Sequence, residues 1–197
     1  MTDTTVAAPT TPAPSRAEIA ASWWREMQDT LASGAPNPRA DRAARARLRR
    51  LDGPLAAADP AVIGLYRRWR GDQFDPDDLQ LAVRVASVLA HVRAEARNEG
   101  AHPPRFARSL GPSSLGADDG ALKLLRFRSL LAAREEEDVV RRFRRAVALL
   151  HGPVNVRDLA GVLIGWDRDE TRTRFAFDYF AAGAAVPDGR SPAALLA

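Results

Sequence analysis

The sequence predicts an all-α protein, a helical bundle of about seven to nine helices arranged in one lobe or two. Apolar residues recur at helical spacing through most of the chain, and no segment alternates with a period of two residues. The pairs Asp59-Pro60 and Asp75-Pro76 also have the form of helix starts. With 197 residues, 46% of them apolar, the chain is long enough to bury one good core.

Two helices are predicted in the first quarter of the chain. Ser15 begins the first, and Glu18 completes a capping box with it. This helix carries tryptophan and aliphatic residues until Gly34–Pro38 ends it. Arg39–Leu51 follows as a short arginine-rich helix, which Asp52-Gly53-Pro54 ends.

Two further helices begin at the Asp-Pro pairs, because aspartate is a good N-cap and proline suits the first helical position. The second of them, roughly Pro76–Glu99, is the longest and most apolar, so we expect it to be the central helix of the bundle. Gly100–Asp119 is predicted to be a loop that is rich in proline and glycine and carries Arg105 and Arg108.

Four helices are predicted in the rest of the chain. Gly120–Ala133 and Asp138–His151 form a pair, and the acidic residues at the start of the second complement its dipole. Asn155–Trp166 begins with an asparagine N-cap. The last helix, near Glu170–Ala182, is expected to bury Phe175, Ala176, Tyr179 and Phe180.

These elements are predicted to form one helical domain, residues 15–182, between two tails. Residues 1–14 are rich in Thr, Ala and Pro and are predicted to be disordered, and residues 183–197 are predicted to be a flexible tail. The start of the chain shows no signal-peptide pattern, no apolar run reaches the roughly 18 residues of a membrane span, and cysteine is absent. A soluble, cytoplasmic protein without disulfides is therefore expected.

Enzyme signatures are absent from the sequence. It contains no Walker-type phosphate loop, no GxGxxG after a strand, no nucleophile elbow and no HExxH motif. His91, His102 and His151 have spacings that build no local metal site. We therefore expect no catalytic residues, no cofactor and no metal.

The aromatic residues recur at helical spacing, which favours a place in the core over a role in stacking bases. Phe127, between Arg126 and Arg128, is the aromatic residue that most suggests a single-strand platform. Its helical phase nevertheless assigns it to the core as well.

Arginine dominates the basic residues: all 29 except Lys123 are arginine, although the net charge is only +4. A nucleic-acid prediction must therefore depend on local clustering. Clusters occur on the Arg39–Leu51 helix, in the Gly100–Asp119 loop and on the two helices that follow it. Because a guanidinium fork binds two phosphate oxygens at once, ten residues are predicted to bind nucleic acid: Arg45, Arg49, Arg50, Arg105, Arg108, Arg126, Arg128, Arg141, Arg144 and Arg145. A solvated charged face without a partner is an equally good interpretation of charge alone.

The order of several short segments is the most specific feature of the sequence. Along the chain they are Trp23-Trp24, Arg45–Arg50, Asp59-Pro60-Ala61, Leu65–Arg68, Arg105–Gly111, Leu125–Leu131, Val140–Val147, Val154–Leu159, Trp166 and Phe177–Phe180. Their order and spacing resemble the CasB family, the small subunit of the type I-E CRISPR surveillance complex, Cascade. The likeness extends from Trp23 to Phe180.

The resemblance implies a non-enzymatic, all-helical subunit that is present in two copies in the complex. In that family the subunit packs against the backbone subunits that hold the CRISPR RNA and against the large subunit. Its basic surface helps to hold the target DNA and the displaced strand open in an R-loop. Since R-loop formation exchanges one duplex for another of similar stability, modest backbone contacts are enough to favour it. The basic positions of the family correspond most directly to Arg49, Arg50, Arg108, Arg126, Arg144 and Arg145.

Two other interpretations remain open. The last two helices could form the helix-turn-helix of a transcription regulator, although the second carries Phe175, Phe177, Tyr179 and Phe180 where a recognition helix exposes polar residues. Alternatively, the arginines meet acidic protein surfaces in a purely structural adaptor. Sequence-specific binding to one duplex would favour the regulator, and assembly without any nucleic-acid contribution would favour the adaptor.

Overall fold

The computed structural model describes residues 13–28, 37, 40–51, 53–96 and 103–180. These residues form ten helices: α1 (Arg16–Glu26), α2 (Arg42–Leu48), α3 (Gly53–Ala57), α4 (Pro60–Arg70), α5 (Pro76–Leu89), α6 (Phe106–Leu110), α7 (Leu124–Leu131), α8 (Glu136–Leu149), α9 (Val156–Gly165) and α10 (Asp169–Phe180). Because they contain no strand, the all-α prediction is confirmed. Of the predicted N-terminal tail, residues 1–14, all but the last two residues lie outside the described residues, as does the whole predicted C-terminal tail, residues 183–197.

The capping signals in the sequence are confirmed at several helix starts. The Ser15 side chain accepts a hydrogen bond from the backbone of Glu18, whose carboxylate in turn accepts from the Ser15 backbone N–H at 2.8 Å. Asp59 and Asp75 accept from first-turn amides of α4 and α5, and Asn155 does the same for α9. These starts are therefore local properties of the chain.

Helix α5 is the centre of the bundle. It packs against α1, α3, α4, α8 and α9, and its residues from Ala82 to Leu89 are all buried. Around it, α1 also packs on α4 and α9, α10 packs on α6 and α9, and α7 packs on α8. The apolar stripe that predicted a central helix is the face that these neighbours cover.

Most aromatic residues lie in the core, as the sequence predicts. Rings from α6 to α10 form one continuous cluster, which contains Phe106, Phe127, Phe143, Trp166, Phe175 and Tyr179. The indole N–H groups donate to backbone carbonyl oxygens, as Trp24 does to Leu89 at 3.0 Å and Trp166 to Ala133 at 3.3 Å. The tryptophans therefore have structural partners for their only polar group.

The predicted extent of α5 is wrong, because the helix ends at Leu89 and not near Glu99. Three side chains of other helices donate to carbonyl oxygens at its end: Trp24 to Leu89, Arg49 to Ala90 and Arg144 to Ser87, at 3.0, 2.7 and 3.2 Å. Beyond this end, the backbone pairs with Val154 through two hydrogen bonds of 2.9 Å. Tertiary hydrogen bonds therefore satisfy the orphan carbonyls where the sequence pattern alone would continue the helix.

The predicted loop Gly100–Asp119 contains a helix that the sequence did not predict, α6. No local side chain caps it; instead Asp158, on α9, accepts a hydrogen bond from the Phe106 backbone N–H at 2.7 Å. With the five-residue α3, this raises the number of described helices above the predicted range. Helices this short depend on tertiary packing and leave little trace in sequence periodicity.

Helix α7 begins at Leu124, four residues after the predicted start at Gly120. Gly120 lies against the end of α6, where a Cβ atom would come within 3.0 Å of the Gly111 carbonyl carbon. Leu122 donates its backbone N–H to the Leu110 carbonyl at 3.0 Å. The chain is therefore held against α6 before it turns into α7.

Candidate nucleic-acid interface

Many of the described arginines are paired with acidic side chains and are therefore locally compensated. These are Arg16, Arg25, Arg47, Arg67, Arg68, Arg70, Arg84, Arg105, Arg141, Arg142, Arg157, Arg172 and Arg174. Two predicted binding residues belong to this group: Arg105 pairs with Asp178, and Arg141 pairs with Asp138. Apart from that of the buried Arg84, these ion pairs contribute little to stability, but they reduce the local positive potential.

A second group of arginines is exposed and has no side-chain hydrogen bond or ion pair anywhere in the part of the chain that the structure describes. It consists of Arg50, Arg93, Arg126, Arg128, Arg145 and Arg168. The sequence analysis predicted four of these six as binding residues. It did not identify Arg93 or Arg168. Arg93 was assigned to the interior of an overlong helix, whereas it follows the real end of α5. A guanidinium without an internal partner keeps all of its N–H donors for an external one.

Arginines at the end of α2, after the end of α5 and on α8 come together where α5 ends. Arg49, just after α2, donates its Nε–H to the Ala90 carbonyl at 2.7 Å. Arg144, on α8, donates to the carbonyls of Ser87 and Leu51, each at 3.2 Å, and is only half exposed. The fold thus joins basic surfaces that lie about 95 residues apart in sequence. We call this group the α5-end cluster: Arg45, Arg49, Arg50, Arg93, Arg144 and Arg145.

The electrostatics of Arg49 show how close these charges are. Burial lowers the pKa of its guanidinium, and repulsion from Arg45 and from Arg93 lowers that pKa further. Arg49 nevertheless stays charged at neutral pH, because an arginine pKa is far above 7. A carbonyl holds one edge of the guanidinium, which leaves the two Nη groups for another acceptor. Cations held side by side on carbonyl oxygens form a ready site for phosphate oxygens.

Four of the five remaining predicted arginines lie on or next to α6 and α7, the helices that contact α10, whereas the fifth, Arg141, is on α8 and pairs with Asp138. Arg105 precedes α6, which packs on α10, and it donates to Asp178 at 3.2 Å. Arg126 and Arg128 are on α7, where the Phe127 ring between them stacks on Tyr179 with the centroids 3.7 Å apart. Arg108 lies on α6 and has an interaction of its own. Apart from Arg141, the predicted basic residues are therefore grouped around two centres, the end of α5 and α10.

The prediction that Phe180 is buried is wrong, because 40% of it is exposed. Phe177, one turn earlier, is 69% exposed, whereas Phe175 and Tyr179 are buried as predicted. Only one side of α10 is covered, by α6, α9 and the Phe127 ring. Apolar residues that occur at nearly every position of a helix cannot all face the same neighbours.

An open cleft of about 1360 Å³ runs beside α9 and α10. Arg105, Arg157, Arg168 and Arg174 line it, together with Asp158, Asp169, Glu170 and Asp178. Its charges are therefore balanced. Within the described residues no group of three or more His, Asp or Glu side chains is placed to hold a metal ion.

Arg84, the one cation of the central helix α5, is not available to a ligand. Arg84 lies inside the bundle, where it donates to Glu136 at 2.9 Å, to Asp167 at 2.8 Å and to the Leu163 carbonyl at 3.2 Å. Burial disfavours the charged form of Arg84 and lowers its pKa. The hydrogen bonds to these two carboxylates have the larger combined effect, so the pKa of Arg84 lies above its ordinary value. Arg84 therefore links α5 to α8 and to the α9–α10 connection.

Comparison with known proteins identifies one family. The family model described as CRISPR-associated protein Cse2 matches residues 44–180 of the chain. No curated protein and no solved structure shows significant similarity to it. The matched segment runs from α2 to the end of α10, so it contains the α5-end cluster and the predicted arginines near α10. None of the described helices is long and apolar enough to span a membrane.

Proposed function

Since the chain belongs to the CRISPR-associated Cse2 family and is therefore a small subunit of Cascade, we propose that its α5-end cluster binds the backbone of nucleic acid. The family membership confirms the resemblance in its sequence. The ligands are the target DNA, with its displaced strand, and the hybrid of target DNA and CRISPR RNA. The subunit stabilises the R-loop during antiviral defence and carries out no chemical step. This role accounts for backbone-binding cations better than a transcription regulator does.

The observation that carries the proposal is the arrangement of cations at the end of α5. Arg49 is held by a carbonyl oxygen within electrostatic reach of Arg45 and Arg93, at a cost in repulsion that lowers its pKa. A polyanion that binds there removes this repulsion and displaces counterions from itself. Because an R-loop exchanges one duplex for another of similar stability, a few such contacts shift the balance.

The proposed partners follow from the family role. They are the Cascade backbone and large subunits, a second copy of this chain, the CRISPR RNA and the target DNA. Acid-paired arginines on α1 and α4 offer little net charge to a phosphate, so these two helices are not part of the proposed phosphate-binding surface.

The proposal is tested with a variant that removes only cations without internal partners. Arg50→Ala, Arg93→Ala and Arg145→Ala are combined in the full chain, which is then assembled with the other Cascade subunits and a CRISPR RNA. We expect matched duplex DNA to bind about tenfold more weakly or worse, with a shallower dependence of log Kd on log salt, because fewer counterions are released.

A control variant removes the same charge elsewhere: Arg25→Ala, Arg67→Ala and Arg157→Ala, each of which has an acidic partner. We expect it to leave the salt slope unchanged. Equal effects of the two triple variants would show that only net charge matters and would contradict a defined site. An unchanged slope in the first variant would also contradict the proposal.

A further inference from the structure

The exposed aromatic residues of α10 share a face with basic residues. Arg174, Phe177 and Phe180 follow one another at intervals of three residues, and all three are exposed. The Phe180 ring meets Phe127 edge-on with the centroids 5.8 Å apart, which places it next to α7. Two large aromatic side chains on one exposed helix face are not explained by the core.

Basic residues stand on both sides of this face. Arg126 and Arg128 flank Phe127 in the sequence of α7, and neither has an internal partner within the described residues. Helix α7 contains no acidic residue, and its N-terminus has no capping side chain. On the other side, Arg105 and Arg174 share the single carboxylate of Asp178, at 3.2 and 3.7 Å, so each retains unused N–H donors.

The acidic groups near this face lie mostly on the side of the cleft beside α9. Asp169 and Glu170 line that cleft together with Phe177, and Asp169 pairs with Arg172. Asp178 is engaged by the two arginines, and Asp158 accepts the Phe106 backbone N–H. Asp118, which is largely exposed, lies close enough to Tyr179 to act on its titration and faces Lys123 at 3.4 Å. Because the charges of the cleft beside α9 are balanced, the excess of positive charge lies on the α7 side.

We propose that this face, which we call the α10 platform (Arg105, Arg126, Arg128, Arg174, Phe177 and Phe180), binds a single strand of nucleic acid by stacking its bases on Phe177. The inference rests on the proposed function and extends it, because it gives the displaced strand a second site beside the α5-end cluster. Arg126 and Arg128 bind the phosphates of the same strand.

Exposed aromatic rings distinguish a single strand from a duplex. In a duplex the bases stack on one another and their faces are closed to a protein ring, whereas an unpaired base exposes its face. Leu124 and Leu125, also exposed at the start of α7, offer apolar area without a ring and would suit a protein neighbour equally well. The test must therefore separate stacking from apolar contact.

Substitutions of Phe177 make this separation. Phe177→Leu keeps an apolar side chain but removes the ring, and Phe177→Trp keeps a ring. The matched control is Phe74→Leu, since Phe74 is 76% exposed in the connection between α4 and α5. The binding of the full chain to fluorescein-labelled oligo(dT) of about 15 nucleotides is followed by fluorescence anisotropy, with a duplex of equal length in parallel.

We expect Phe177→Leu to weaken oligo(dT) binding roughly tenfold and to leave duplex binding unchanged. Its salt slope should equal that of the wild type, because stacking releases no counterions. Phe177→Trp should bind at least as tightly as the wild type, and Phe74→Leu should have no effect. Unchanged oligo(dT) binding by Phe177→Leu would overturn the platform, as would a wild-type chain that binds the duplex and not the single strand.

Two further outcomes keep this inference apart from its alternatives. If Phe177→Leu binds oligo(dT) normally and Phe177→Asp no longer co-purifies with the other Cascade subunits, the face is a protein-docking surface and the platform is overturned. Failure of the platform would leave the proposed function standing, because that function is tested through duplex affinity and salt slope in the α5-end triple variant.

Discussion

Phe143 shows how one turn of helix serves two purposes. Its ring is completely buried and meets the Trp166 ring edge-on with the centroids 4.8 Å apart. Arg144, the next residue, reaches carbonyl oxygens at the end of α5, and Arg145 is exposed. The aromatic contact therefore fixes the orientation in which α8 presents its arginines.

Replacing this ring should destabilise the whole domain. We expect Phe143→Ala to lower the free energy of unfolding by about 3–5 kcal/mol, through lost burial and the cavity it leaves. Urea denaturation followed by circular dichroism measures the change. Phe74→Ala, at an exposed phenylalanine, serves as the control. An unmoved midpoint for Phe143→Ala would show that the ring is not part of the core.

At the scale of elements, α6 depends on a carboxylate from another helix. Asp158 accepts the Phe106 backbone N–H at 2.7 Å, and burial raises the pKa of this carboxyl above its ordinary value although that hydrogen bond and nearby arginines lower it. The native state therefore holds the Asp158 proton more tightly than the unfolded chain does. The contribution of Asp158 to the free energy of unfolding is fully present below the pKa that its carboxyl has in the unfolded chain. This contribution is lost as the pH rises through the higher pKa of the folded state.

An uncharged acceptor at this position should remove that pH dependence. Asp158→Asn keeps an oxygen for the Phe106 N–H and does not titrate. We expect the stability of Asp158→Asn relative to the wild type to improve as the pH rises above about 4, the ordinary pKa of aspartate, and to level off above the raised pKa. Thermal unfolding between pH 3 and 7 tests this; a difference that stays constant or moves in the opposite direction would contradict it.

At the scale of the whole molecule, the arginines are distributed unevenly between compensated and uncompensated positions. Those of α1 and α4 are paired with acids, whereas most of those without partners in the described residues lie at the end of α5 and on α7 and α8. Concentrated like charges oppose folding, and a bound polyanion relieves this repulsion. Binding and stability therefore impose opposite demands on the α5-end cluster.

Removing one cation of the α5-end cluster should raise the stability of the fold and weaken the binding of nucleic acid. We expect Arg93→Gln to raise the melting temperature slightly at low salt, because its repulsion of Arg49 is lost. The gain should vanish at about 0.5 M NaCl, where charges are screened beyond roughly 4 Å. Affinity for nucleic acid should fall in the same variant. A lower melting temperature at low salt would mean that Arg93 stabilises the fold through contacts of its own.

The helix starts show which parts of the structure could be predicted. Ser15, Asp59, Asp75 and Asn155 cap helices through bonds to residues two or three positions away, so the chemistry is readable from neighbouring letters. The all-α class and the central place of α5 follow from apolar spacing in the same way. The ordered series of segments that resembles the CasB family was likewise sufficient to identify the family.

Three features could not be predicted from the sequence: the end of α5, the short helix α6 and the grouping of the arginines. Each depends on residues far apart in sequence: Trp24 and Arg144 at the end of α5, Asp158 at the start of α6, and Arg49 beside Arg93. Helical periodicity says which residues share a face but not which neighbour covers it, so Phe180 was assigned to the core and Phe177 was not recognised as exposed. Local hydrogen bonds and apolar spacing are properties of the chain, whereas coverage and charge clustering arise only when separate helices meet.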